Sequence, residues 1–157
     1  MSPTKTYTQQ RWSLTDLFPA ANSPEMKQGF ADLEALTASF EKKRPLLSEK
    51  ISQKEFMSVI QELEQIYRLA NRLGGYAELW FTENTQNQEA LSLIAKTEQL
   101  FSDISNRSLF FGLWWKDLPE ALALPLMDKS GDYRYWLEEM RHFKPHTLTE
   151  PEEKIID

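Results

Sequence analysis

Hydrophobic residues recur at steps of three and four along most of the chain, a spacing typical of amphipathic helices and not of strands. The first helix is predicted to begin after Ser23, a good N-cap, with Pro24 at its first position. It should end at Arg44, because the residue before Pro45 is kept out of the helical region. Its apolar face comprises Met26, Phe30, Leu33, Thr37 and Phe40.

A longer second helix is predicted over about residues 52–82, where Ser52 and Glu55 form a capping box. The pair Gly74 and Gly75 interrupts its apolar stripe, yet the helical period continues beyond the pair. We therefore expect one helix, weakened or kinked at the glycines. The alternative is a glycine C-cap followed by a separate short helix. In a continuous helix, Gly74→Ala should stabilise the protein, because glycine disfavours helices relative to alanine.

A third helix is predicted after a polar loop, with Thr85 or Asn87 as its N-cap, and it should extend toward Trp115. Leu100 and Ile104 widen its predicted inner face. That face comprises Leu91, Ile94, Glu98, Phe101, Ser105 and Ser108.

Two shorter helical pieces are predicted downstream of the third helix. Pro119 and Pro125 bracket the first of them, and residues 129–131 form a turn. Asp132 should cap the second piece, which ends at Lys144 before a proline. Residues 1–157 are thus predicted to form one all-α domain, an antiparallel bundle of about four to five helices.

Both ends of the chain carry distinct signals. Residues 1–22 are predicted to be an extended anchor, whose large apolar side chains hold the N-terminus against the bundle. Thr149 and Glu152 form a capping box, so residues 149–157 should begin a further helix. Because isolated helices shorter than about 12–15 residues are marginal in water, we expect this helix to continue in a longer protein. The alternative is a polar tail.

The composition narrows the classes of function. The formal net charge is −6, and no basic run is longer than residues 42–44, which disfavours non-specific nucleic-acid binding. The absence of cysteine excludes disulfides and thiolate metal sites. The first residues lack an apolar signal region, and the most apolar stretch, residues 109–115, is too short to span a bilayer. We expect a cytoplasmic protein without nucleic-acid or membrane partners.

Candidate catalytic groups are few. His142 and His146 have the spacing of a helical metal pair, but Pro145 lies between them and should break the helix that would align them. The Gly74–Gly75 pair lacks the lysine of a phosphate loop, and no serine stands in a Gly-x-Ser-x-Gly setting. No catalytic, cofactor-binding or metal-binding residue is therefore predicted on this chain.

Aromatic residues are dense in two parts of the chain. Bulky rings at adjacent positions lie on different sides of one helix, and a helix in a small bundle does not bury all its sides. We therefore expect some rings to face a partner or a groove, with ordinary burial between helices as the alternative. The rings in question are Tyr76, Trp80, Phe81, Phe110, Phe111, Trp114 and Trp115.

Three segments resemble the oligoendopeptidase F family. Residues Trp12–Phe18 are similar to its Trp-x-Leu-x-x-Leu-Phe opening, and Tyr76–Thr85 to its Tyr-Ala-x-Leu-x-Phe-x-x-Asp/Asn-Thr segment. Residues Pro145–Ile155 resemble its Leu-Ser/Thr-Glu-x-Glu-Glu-Lys-Ile/Leu segment. Order and spacing agree across nearly the whole chain.

The resemblance implies a function for a larger protein. The family hydrolyses short peptides with zinc, bound by a His-Glu-x-x-His helix and a further Glu, in a channel between two mostly helical lobes. This chain has no such motif, so the resemblance implies an N-terminal helical domain that forms one channel wall and packs on a catalytic domain. By itself the chain should bind no zinc and be inactive. The alternative is a freestanding interaction module whose aromatic groove binds an amphipathic partner.

Overall fold

The structure, a computed structural model, describes residues 13–156. This part of the chain has no strand, so the predicted all-α class is confirmed, with one helix more than the four to five expected. The six α-helices of residues 13–156 are α1 (Pro24–Glu41), α2 (Gln53–Glu83), α3 (Gln88–Asp117), α4 (Glu120–Asp128), α5 (Arg134–His142) and α6 (Glu150–Ile156). Short 3-10 turns occupy Arg44–Leu46, Gly131–Tyr133 and Lys144–His146.

The core lies between α1, α2 and α3. Phe40 near the end of α1 contacts Phe110 and Phe111 near the end of α3, with ring centroids 5.2 and 6.5 Å away. Phe56 at the start of α2 packs on Trp115, 5.0 Å between centroids. Since the start of α2 meets the end of α3, these two helices are antiparallel. All five rings are nearly or completely buried.

Local capping signals begin the long helices where the sequence predicts them. The Ser23 hydroxyl accepts a hydrogen bond from the Met26 amide at 3.1 Å, and the Ser52 capping box is formed. Asn87, and not Thr85, caps α3. The ends are less accurately predicted: α1 ends at Glu41, and the 3-10 turn Arg44–Leu46 follows.

The glycine pair lies inside a continuous α2, so the alternative of a separate short helix is wrong. A Cβ atom at Gly74 would lie only 2.7 Å from the tip of the Phe101 ring on α3. This close approach argues against the expectation that Gly74→Ala stabilises the protein, because that methyl group would displace the ring. A Cβ atom at Gly75 would have no neighbour within 4 Å.

The inner face of α3 differs from the predicted face in its first half. Leu91 is 46% exposed, whereas Ala90, Leu93 and Thr97 are buried. Apolar residues also flank the buried positions of α3, so the spacing alone does not show which of them face the core. The packing of α3 on α2 decides this. Thr97 is buried without an unmet polar group, since its hydroxyl donates to the Ile94 carbonyl at 2.8 Å.

The dense aromatic residues mostly fill the core. Tyr76, Phe110, Phe111 and Trp115 are at most 6% exposed, so the alternative of ordinary burial between helices describes these four. The three rings on α3 are covered because that helix packs against α1, α2, α5 and α6. Tyr76 on α2 packs on Phe18. Trp80, Phe81 and Trp114 are half-buried.

The shorter helices depart from their predicted limits. Pro125 lies within α4 and does not end it. Asp132 does not cap α5, because it lies in the 3-10 turn that precedes Arg134. Gly131 has a φ of +60°, a left-handed conformation that glycine adopts without steric cost.

The segment before α1 is held by packing and by one arginine. Phe18 is 2% exposed, and the Arg72 guanidinium lies 4.4 Å from its ring centroid while donating to the Leu17 carbonyl. The first part of the predicted anchor, residues 1–12 with Trp12, lies outside the described residues. Among residues 13–156, no helix is both long and apolar enough to cross a membrane.

Candidate functional site

A groove lies between the Arg44–Leu46 turn, the second half of α3 and the segment before α6. Its volume is about 670 Å³. Half-buried Trp114 and buried Phe110 contribute aromatic surface, and Leu148 borders the groove from the segment before α6. The lining is Arg44, Leu47, Phe110, Leu113, Trp114, Lys116, Asp117, Lys144, Thr147, Leu148, Thr149 and Glu150.

Arg44, one of the residues that line this groove, contacts the start of α6. The two Arg44 amino groups donate to the two carboxylate oxygens of Glu150, at 3.2 and 2.5 Å, and the guanidinium lies 5.4 Å from the Phe110 ring centroid. The hydrogen bonds from Arg44 lower the pKa of Glu150, with a smaller contribution from Lys154. Residues far apart in sequence are thereby joined, so α6 is held against the Arg44–Leu46 turn.

A second arginine fixes the helices on which the groove is built. Arg107 on α3 donates to Glu34 and Glu41 on α1, both at 2.8 Å, and to Asp103 at 3.1 Å. Hydrogen bonds to these carboxylates raise the pKa of Arg107, and the bond from Arg107 lowers the pKa of Glu41. This network holds α1 and α3 in register next to the groove.

Arg141 positions the segment that leads to α6. It donates to the Trp115 carbonyl at 2.5 Å, the Leu118 carbonyl at 2.9 Å and Glu120 at 2.7 Å. The first two acceptors belong to the end of α3, where carbonyls lack helical partners. Sequence reasoning missed Arg141 because its partners lie more than 20 positions earlier, beyond the reach of local capping patterns.

The two histidines lie on separate elements, as the intervening proline suggested. His142 is the last residue of α5, and His146 ends the 3-10 turn Lys144–His146. The His142 Nδ1 lies 3.3 Å from the Glu139 carboxylate. Within residues 13–156, no three or more His, Asp or Glu side chains are grouped so that they could hold a metal ion.

Two comparisons with known proteins bear on this arrangement. Residues 115–157, which include α4, α5 and α6, match the peptidase M3 N-terminal family model, described as oligopeptidase F. The fold is similar to the crystal structure of a candidate peptidase from Chlamydophila abortus, with a TM-score of 0.65 and 23% sequence identity. That similarity covers 93% of this chain and 24% of the other chain. No curated protein matches the chain.

The chain thus spans about a quarter of the length of the structure to which its fold is similar. The family match falls on the segment whose sequence, near Pro145–Ile155, resembles oligoendopeptidase F. The two findings support the predicted resemblance: this chain is similar to the N-terminal region of an oligoendopeptidase-type peptidase.

Proposed function

We propose that this chain is the N-terminal helical domain of a zinc-dependent metalloendopeptidase that hydrolyses short peptides. In this proposal it forms one wall of the substrate channel and packs on a catalytic domain that supplies the zinc ligands. The observation that carries the proposal is the family match over residues 115–157. The cytoplasmic location predicted from the sequence is retained as part of the proposal.

The sequence supports a protein in which a second domain carries the catalytic residues. It has no His-Glu-x-x-His motif, in which two histidines one helical turn apart bind zinc and the intervening Glu serves as general base. A chain that covers 24% of a structure described as a peptidase leaves most of that structure to carry the reaction. To form a wall of the channel, this chain needs to supply a surface that packs on the catalytic domain, and it needs no metal ligand.

The matched segment also exposes large apolar side chains. Tyr135 and Phe143 are 72% and 62% exposed, and Ile155 on α6 is 84% exposed. Leu124 and Leu148 are each more than 40% exposed. Exposed apolar surface favours contact with another protein surface, and the proposal assigns that surface to the catalytic domain.

The test compares this chain alone with the protein encoded when the coding sequence is extended beyond Asp157. Each protein is incubated with zinc, dialysed, and assayed with an internally quenched peptide, with and without a chelator. We expect the longer protein to retain zinc and to cleave the peptide in a chelator-sensitive manner. The present chain should do neither, because it lacks the ligand set.

Two results would contradict the proposal. Stoichiometric zinc retention with chelator-sensitive turnover by this chain alone would place the site on residues that we consider inert. A stop codon directly after Asp157, with tight binding of an amphipathic helix by the isolated chain, would favour a freestanding interaction module.

A further inference from the structure

A small aromatic pocket lies on the side of the bundle where α2 meets the start of α5. Its volume is about 230 Å³, and five residues line it: Ile60, Glu64, Tyr67, Tyr133 and Trp136. Three of the five are aromatic, and Glu64 carries the only charge of the lining. Helix packing accounts for Ile60, but neither it nor the proposed peptidase role accounts for the exposed parts of the Tyr67 and Trp136 rings beside Glu64.

Contacts with the core hold part of the pocket lining in place. Ile60 is 1% exposed and belongs to the core, and the Trp136 ring stacks on Phe111, 6.2 Å between centroids with an 8° angle. The Tyr133 hydroxyl donates to one Glu64 oxygen at 2.6 Å. Tyr67 and Trp136 remain 45% and 37% exposed, so part of each ring is open to a ligand.

Glu64 is held as an anion beside the rings. The hydrogen bond from Tyr133 lowers the pKa of Glu64, and the same contact raises the pKa of Tyr133. Its other oxygen accepts from Arg68 at 3.0 Å, but the Arg68 side chain is 78% exposed. Such an exposed pair on one helix is worth little, so Arg68 competes only weakly for the carboxylate.

We propose that this pocket binds the alkylated ammonium group of a small molecule. Aromatic faces attract cations through their quadrupole, and rings arranged around an apolar cavity are the usual way in which proteins bind quaternary ammonium groups. Glu64 adds a full negative charge at the edge of the same cavity. The volume suits a head group of a few heavy atoms and not an extended peptide.

The test is a titration of the chain, by calorimetry and amide NMR, with choline and its neutral isostere 3,3-dimethyl-1-butanol. The two probes share shape and differ in charge. We expect choline to bind at least fivefold more tightly, with shifts at Glu64, Tyr67 and Tyr133. Equal affinity for the two probes, or no binding of choline, would overturn the proposal.

Variants separate charge from packing. Tyr67→Leu keeps apolar volume but removes a ring face, and should weaken choline binding about two- to fivefold, whereas Tyr67→Phe should retain it. Glu64→Gln should weaken choline binding, and Arg68→Gln should strengthen it by releasing the carboxylate. Tyr135→Leu, at a neighbouring exposed ring outside the pocket, is the control and should change nothing.

Unfolding midpoints of all variants identify any loss of fold. A peptide with a single trimethyl-lysine distinguishes the source of the cation. If that peptide binds more tightly than choline, the site recognises a protein side chain and the assignment to a small molecule is wrong. Affinities unaffected by both Tyr67→Leu and Glu64→Gln would likewise show that choline binds elsewhere.

Discussion

Gly74 and Gly75 are neighbours in α2, yet a methyl group at each would meet a different environment. At Gly75 nothing lies within 4 Å, so Gly75→Ala should stabilise the protein by about 0.5–1 kcal/mol through helix propensity. At Gly74 the added Cβ would overlap Phe101, and overpacking costs about 1–3 kcal/mol. We expect Gly74→Ala to lower the denaturation midpoint and Gly75→Ala to raise it.

The glycine prediction has an internal control. Replacing Phe101 with Leu removes the ring that the new Cβ would touch, so Gly74→Ala should cost less in that background. If Gly74→Ala and Gly75→Ala raise the midpoint equally in the wild-type background, the close approach of α2 and α3 at this point is wrong.

Arg107 is the side chain whose loss should weaken the contact between α1 and α3 most. Its own side chain is 20% exposed, but its carboxylate partners are 43–57% exposed, which reduces the value of each pair. We expect Arg107→Gln to lower the free energy of unfolding by about 1 kcal/mol at neutral pH. Arg68→Gln, which removes one exposed pair, serves as the control and should lower the free energy of unfolding much less.

The cost of Arg107→Gln should depend on pH. The pKa of Glu41 in the folded protein is below its ordinary value of 4.5, so the stabilisation is fully present above that value. It is lost as the pH falls through the lowered pKa, because the protonated carboxyl no longer pairs with Arg107. Denaturant titrations should therefore show the wild-type and variant curves converging below about pH 4.5. A constant difference down to pH 3 would contradict this account.

At the scale of elements, α6 shows how a weak local signal gains support from a distant residue. Seven residues do not hold a helix by capping alone. Thr149 and Glu152 supply the cap, with the Thr149 amide donating to the carboxylate at 3.0 Å, and Arg44 supplies a tertiary contact through Glu150. The stability of α6 should therefore depend on a residue more than 100 positions away.

Amide hydrogen exchange tests that dependence. Arg44→Gln should increase exchange through Glu150–Ile156, since it removes both hydrogen bonds to Glu150, while the amides of α2 remain unchanged. Lowering the pH through the depressed pKa of Glu150 should have the same effect, after correction for intrinsic exchange rates. If neither Arg44→Gln nor the lower pH changes the exchange rates in α6, the Arg44–Glu150 ion pair does not stabilise this helix.

The sequence predicts where helices begin better than which side of them is buried. Ser23, Ser52 and Asn87 each act within three residues of their partners, so their capping roles can be recognised locally. The inner face of α3 depends on how α2 crosses it, which is why Leu91 was expected inside and lies outside. The contacts of Arg107 with α1 and the contacts of Arg141 cross between elements, so they have no local pattern in the sequence.

At the scale of the whole molecule, the exposed apolar surface lies in a different place from the one that ring density indicated. Phe110, Phe111 and Trp115 are buried because α1, α2, α5 and α6 pack on α3. Strongly exposed rings occur instead at Tyr135 on α5 and at Phe143 directly after it. The sequence predicts only that some of the aromatic rings face a groove. The arginine contacts beside the groove could be seen only in the folded structure.

This surface leads to a prediction about association. The isolated chain should bind a hydrophobic dye, or self-associate at micromolar concentrations, because its segment from α4 to α6 exposes several large apolar side chains. Phe143→Ser should reduce both effects at little cost in stability, since that ring is 62% exposed. Leu91→Ser, at an exposed position on α3 outside this segment, is the control and should change them less.

The same variant gives opposite results if the proposed catalytic domain covers Phe143. In the longer protein the dye signal should be low from the start, and Phe143→Ser should now lower the unfolding midpoint, because the substitution would leave a defect in a packed interface. Leu91→Ser should behave alike in both proteins. If Phe143→Ser has the same small effect in both, or if the isolated chain is a monomer that ignores the dye, the assignment of this surface to domain packing is wrong.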